Sequence, residues 1–120
     1  MTPPDASANP PVALTTAELQ AALQALPGWT VVHSNAADAI CKHWHFDDFR
    51  QAMVFANAIA ELAEHLNHHP DLLIGWGRGD VRWSTHDAGG VSQRDLDAAR
   101  QTDMQAARLG ARDDADSGTA

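Results

Sequence analysis

Residues 47–86 read DDFRQAMVFANAIAELAEHLNHHPDLLIGWGRGDVRWSTH, and the fold turns on where the helix in this stretch stops. Phe49, Met53, Ala56, Ala60 and Ala63 make one apolar stripe at helical spacing. Phe55, Ile59, Leu62 and Leu66 make its neighbour. Together they predict one helix with a wide apolar face. Asp47 is placed to cap it. The helix is expected from Asp48 to about His68, roughly 30 Å at ~1.5 Å per residue. Pro70 stops it, because a proline pushes the preceding residue out of the α region. Leu72–Trp76 and Val81–His86 then read as two strands. Gly77-Arg78-Gly79-Asp80 is the turn between them.

Upstream, Thr15-x-x-Glu18 is a capping-box pattern. Leu19, Ala22, Leu23 and Leu26 follow at helical spacing, and Pro27-Gly28 ends that helix. Trp29–His33 is a short β-rich run. Ser34–Asp38 is a turn, and Ala39–Phe46 is a second strand with Ile40, Trp44 and Phe46 alternating against Cys41, His43 and His45. Downstream, Asp87–Gly90 is a Gly-rich loop. Ser92-x-x-Asp95 opens a last helix whose apolar side holds Leu96, Ala99, Ala106 and Leu109. The order is α-β-β-α-β-β-α. It implies an α+β fold, a four-stranded antiparallel sheet with three helices on one face.

The ends differ from this core. Residues 1–13 hold four of the six prolines, and residues 110–120 are small and polar. Both have too little apolar surface to offset ordering entropy, so both read as disordered tails around a domain at 14–109. The whole chain has 120 residues, 44% of them apolar, enough for one core. Eight Lys and Arg stand against sixteen Asp and Glu, a net charge of −8. That balance argues against a nucleic-acid binder and against an anionic membrane surface. No stretch reads as a membrane span or a secretory signal. The single cysteine, Cys41, has no partner for an internal disulfide and reads as a small buried residue. A reducing cytoplasm is the expected location.

Seven histidines and four tryptophans ask for a chemical reading. The densest polar cluster is Glu64-His65-Leu66-Asn67-His68-His69-Pro70. On a helix Glu64 and His68 share a face. A carboxylate there accepts a proton from one imidazole nitrogen and fixes its tautomer. His69 lies past the last turn, and His86 ends the fourth strand beside Ser84 and Thr85. Three imidazoles would then converge on one pocket, an arrangement suited to acid–base work on a small molecule. Trp76 is the tryptophan placed nearest a ligand. His65 reads as a cap or solvated side chain. His33, His43 and His45 read as surface or rim residues. His65 and His69 are four apart, a pair that can bind zinc, but no third ligand is specified and no metal is expected. Gly75-x-Gly77-x-Gly79 lies in a hairpin and lacks the context of a dinucleotide fingerprint.

The spacing Glu64-x-x-x-His68-His69-Pro70, then Trp76, His86 and Asp95, resembles the signature of the pterin-4a-carbinolamine dehydratases. Leu26-Pro27-Gly28-Trp29, Phe46-Asp47-Asp48-Phe49 and Ser84-Thr85-His86-Asp87-Ala88-Gly89-Gly90-Val91 are similar to other segments of that family. The resemblance spans about residues 14–108. It implies the same α-β-β-α-β-β-α fold and the dehydration of 4a-hydroxytetrahydrobiopterin to quinonoid dihydropterin, with no metal or redox cofactor. It implies His68 and His86 as the acid/base pair and His69 as a substrate-binding histidine or additional base. Glu64 matches the supporting carboxylate. Asn67, Ser84 and Thr85 match pocket-lining positions, Pro70 positions the turn, and Asp95 matches the closing acid. Leu72 stands where many relatives carry an aromatic residue. The family also implies a homodimer or homotetramer, through helix packing and sheet edges. Ala52, Ala56, Ala60 and Ala63 would allow close helix approach. An alternative from the same resemblance is a transcriptional coregulator or a RuBisCO assembly factor with little catalysis. The protein partner would then be a regulator or RuBisCO; for the enzyme it would be a hydroxylase.

Overall fold

The computed structural model describes residues 11–113. Its first helix, α1 (Thr16–Leu23), starts at a reciprocal capping box. The Glu18 N–H donates to Thr15 Oγ1, and the Thr15 N–H donates to Glu18 Oε1. The backbone bond from Thr15 holds the Glu18 carboxyl below its ordinary value. Strands β1 (Thr30–Val32) and β2 (Ala39–His45) form the expected first hairpin.

The long helix, α2 (Phe49–Leu66), differs from expectation at both ends. Its cap is Asp48, whose side chain accepts from the Gln51 N–H at 2.8 Å. Asp47 instead pairs with Arg112. The helix stops at Leu66 because Asn67 takes the left-handed conformation, φ 51° and ψ 41°. The N–H groups of Asn67 and His68 turn back to the carbonyls of Glu64 and Ala63. This is a Schellman motif, and it ends the helix before Pro70 can. His68 is therefore not helical, and the i, i+4 argument for Glu64 and His68 does not apply.

Strands β3 (Asp71–Gly75) and β4 (Arg78–Trp83) form the second hairpin. Its turn is only Trp76-Gly77, with Gly77 at φ +69°, a conformation that favours glycine. Arg78, Gly79 and Asp80, expected in the turn, belong to β4. The strand ends at Trp83, so His86 lies on a 3-10 turn (His86–Ala88) rather than in the sheet. Helix α3 (Gln93–Arg108) opens with the Ser92–Asp95 capping box.

The sheet order is β1-β2-β4-β3, with every pairing antiparallel. A fifth short strand, β5 (Arg112–Asp113), pairs with Trp44 and His45 of β2. It continues the edge that β1 occupies at Ala39–Cys41. This corrects the expected tail at 110–120, since Arg112 and Asp113 join the sheet. Residues 1–10 and 114–120 of the expected tails lie outside the described residues.

Paired residues share a sheet face, so Ile40, Trp44, Val81 and Trp83 all point one way. They meet Phe55 and Ile59 of α2, Leu96 and Ala99 of α3, and Leu19 of α1 in one core. Gly79 faces the same way. A Cβ there would stand 3.2 Å from Phe46 and 3.3 Å from Phe55, so the bare backbone makes room for that aromatic pair. Ala52, Ala56 and Ala63 are buried inside this core. Of the four alanines expected to let helices approach, Ala60 alone is exposed. Among the described residues no helix is long and apolar enough to cross a membrane.

Candidate active site

A cavity of about 260 Å³ opens where α2 ends, and His68, His69 and His86 line it together with Asn67, Ser84 and Arg94. The Schellman turn at Asn67 sends consecutive side chains to different partners. His68 goes inward. Its ring stacks on buried Trp83, with centroids 5.3 Å apart and planes at 27°. Its Nε2 lies 2.6 Å from Asp95 Oδ1. Asp95 is fully buried. Its second oxygen, Oδ2, accepts from the Thr85 hydroxyl at 2.7 Å and the Ser92 N–H at 2.9 Å. An ionised carboxylate can only accept, so the proton in the His68–Asp95 bond sits on Nε2. Among the described residues nothing partners His68 Nδ1, which is the nitrogen left for a ligand.

His69 goes outward. Its Nε2 bonds to Glu64 Oε2, and both side chains are exposed. The carboxylate assignment from sequence is thereby corrected. Glu64 supports His69, while Asp95 supports His68. The physical cause is the left-handed residue between helix and histidines. Asp95 also keeps its place in the capping box, so the helix-capping bond and the His68 bond fall on the same carboxylate.

His86 is exposed and sits on the 3-10 turn. The loop carrying it is closed by paired backbone bonds between Thr85 and Gly90. Ser84 lines the cavity, and its hydroxyl donates to the Asp38 carbonyl at 2.7 Å. Thr85 is 3% exposed, and its single proton goes to Asp95. It therefore supports His68 and has no donor left for a substrate.

Trp76 does not reach the cavity. It lies in the β3–β4 turn and is 75% exposed. β3 runs five residues away from the histidines first, about 17 Å of strand. Pro70 follows His69 without lining the cavity. His33, His43 and His45 also lie outside it. His33 pairs with Asp38 and His43 with Asp80 on the first hairpin and its neighbour. Cys41 is buried; burial and the Asp80 carboxylate push its thiol up.

Arg94 and Asp87 line the cavity but escaped the sequence reading. A signal for Arg94 exists. It stands in the first turn of α3, where the helix dipole disfavours a cation.

The family model described as "Pterin 4 alpha carbinolamine dehydratase" matches residues 12–105. A Paracoccus denitrificans protein named "Putative pterin-4-alpha-carbinolamine dehydratase" is 48% identical over 91 residues, which is 76% of this chain and 83% of that protein. The crystal structure of a "transcriptional coactivator/pterin dehydratase" from Brucella melitensis matches with a TM-score of 0.71 and 37% identity, over 78% of this chain and 98% of that one. A "pterin dehydratase-like protein" described as a RuBisCO assembly factor in the alpha-carboxysome shares the fold, with a TM-score of 0.55 and 20% identity over 66% of this chain and 89% of that one.

Proposed function

The chain belongs to the pterin-4-alpha-carbinolamine dehydratase family, and on that premise we propose that it dehydrates 4a-hydroxytetrahydropterin to quinonoid dihydropterin. The observation that carries this reading is His68, a cavity-lining ring fixed by Asp95 and Trp83, whose Nδ1 has no partner among the described residues. In the reaction the C4a–O bond breaks and the hydroxyl leaves as water. The proton on the adjacent ring nitrogen is lost, and its electron pair forms the new C=N bond. His68 Nδ1 takes that proton, and the resulting imidazolium faces the Asp95 carboxylate. An imidazolium at His86 protonates the leaving oxygen. His69, steadied by Glu64, holds the substrate. General acid and base groups of this kind contribute about 10²–10⁴-fold each. The cytoplasm is the proposed location.

His68→Ala and His86→Ala should each slow turnover by about 10²-fold or more with the fold intact by circular dichroism. Unchanged rates in both variants would remove the acid/base assignment.

A second role in binding a protein or a second copy of the chain is compatible with the first. It is favoured by exposed Phe49, Met53 and Val54 on α2 and by Leu72 and Leu73 on edge strand β3. Leu73→Asp should weaken self-association in sedimentation velocity if a second copy sits there. An unchanged profile would exclude that surface.

A further inference from the structure

Behind His68 runs a buried hydrogen-bond chain whose outer member, Ser92, lies outside the cavity. Ser92 is 2% exposed, Thr85 3% and Asp95 0%. The Ser92 and Thr85 hydroxyl oxygens are 2.7 Å apart, and Thr85 Oγ1 is 2.7 Å from Asp95 Oδ2. Each hydroxyl has one proton, and a carboxylate has none to give. Thr85 therefore donates to Asp95, and Ser92 must donate to Thr85. The direction of the whole chain is fixed: Ser92 O–H to Thr85, Thr85 O–H to Asp95 Oδ2, and His68 Nε2–H to Asp95 Oδ1. Serine at a helix start ordinarily aims its side chain at the backbone of its own helix. Here the hydroxyl takes that place in the capping box and also meets a side chain from the loop after β4.

We infer that Ser92 is a positioning residue for the proposed dehydration, holding Thr85 and Asp95 so that His68 keeps Nε2 protonated and Nδ1 open to substrate. The inference rests on the acid/base reading of His68. Without the Ser92 proton, the Thr85 hydroxyl is free to rotate away from Asp95. The carboxylate then loses a donor, and the His68 ring loses its fixed orientation. Hydrogen bonds in such a series strengthen one another, so loss at one end is felt at the other.

The test uses full-length protein with ¹⁵N-labelled histidine, in wild type, Ser92→Ala, Thr85→Val and the double variant. Wild type should show a solvent-protected His68 Nε2–H proton resonance and an unprotonated Nδ1. That resonance should broaden or vanish in Ser92→Ala and Thr85→Val, and persist in Thr85→Ser. Turnover should fall about tenfold in each single variant with KM within about twofold, the pattern for an interaction felt in the transition state. Adding Ser92→Ala to Thr85→Val should not lower kcat further, although it should lower the thermal midpoint by removing a cap. That non-additivity separates a role through Thr85 from simple helix capping. Should Ser92→Ala fail to fold, Ser92→Cys keeps the shape with a weaker donor and gives the same readouts. A retained His68 resonance in folded Ser92→Ala, or fully additive losses of kcat, would overturn the inference. The resonance needs no turnover. An absent dehydratase activity with the predicted spectra would therefore overturn the proposed function and leave the chain standing.

Discussion

Asp95 holds two sets of partners with one carboxylate. Its Oδ2 closes the capping box of α3, and its Oδ1 holds His68. Asp95→Asn keeps the size but loses the charge, and its amide nitrogen competes for the His68 proton's place. Turnover should fall by about 10–10²-fold, less than the ~10²–10⁴-fold of a group that itself moves the proton, while far-UV circular dichroism stays unchanged. Wild-type turnover in that variant would detach Asp95 from the mechanism. Glu64→Ala should act more mildly, because its pair with His69 is exposed and worth about 0–1 kcal/mol. A thermal melt should move little, and a large shift would contradict the surface reading. That His68, His69 and His86 would meet at one cavity was legible from the His68-His69-Pro70 run and from the place of His86 after the fourth strand. Their partners were not, because a partner is set by which way a side chain leaves the backbone. A single left-handed residue reverses that.

That residue acts at the scale of the element. Asn67 ends α2 at Leu66, two residues before the end expected near His68 from Pro70. Asn67→Gly should be neutral or stabilising. Asn67→Val should cost about 1–2 kcal/mol, since a β-branched residue resists φ 51°. Equal chemical-denaturation midpoints for the two variants would show that the left-handed turn is not required. Gly79 works similarly inside β4. Gly79→Ala drives a methyl toward Phe46 and Phe55 and should destabilise by about 1–3 kcal/mol. Element types and order were readable because apolar periodicity reports burial over many residues. Boundaries were less so. The cap shifted from Asp47 to Asp48, and the hairpin turn shrank to two residues, because two adjacent acids, or the alternating Gly75, Gly77 and Gly79, look alike in sequence.

For the whole molecule, the C-terminal segment is part of the sheet. Buried Lys42 pairs with Asp103 of α3 at 2.9 Å and with Asp113 of β5 at 3.2 Å, and its ammonium lies over the Trp44 ring. Truncation after Ala111 should therefore lower the thermal midpoint, whereas truncation after Asp113 should not. Equal midpoints would return residues 112–113 to the tail. This strand was illegible in sequence because two polar residues carry no period; it forms because a partner edge is vacant beyond β1. On the uncovered sheet face, burial pushes the Asp80 carboxyl up, but hydrogen bonds from Arg78 and His43 outweigh it and hold it below its ordinary value. A lowered carboxyl contributes stability above its unfolded value and loses it as pH falls through the folded one. Melts between pH 7 and 3 should show a shallower acid decline in Asp80→Asn than in wild type, and parallel curves would contradict that pairing. The proposed catalysis by the cavity histidines is read from the rate of 4a-hydroxytetrahydropterin dehydration, with substrate generated in situ by a hydroxylase. Wild type should accelerate the reaction over its spontaneous rate, and His68→Ala/His86→Ala should return it to that rate. No acceleration by folded wild type, or full acceleration by the double variant, would contradict the account.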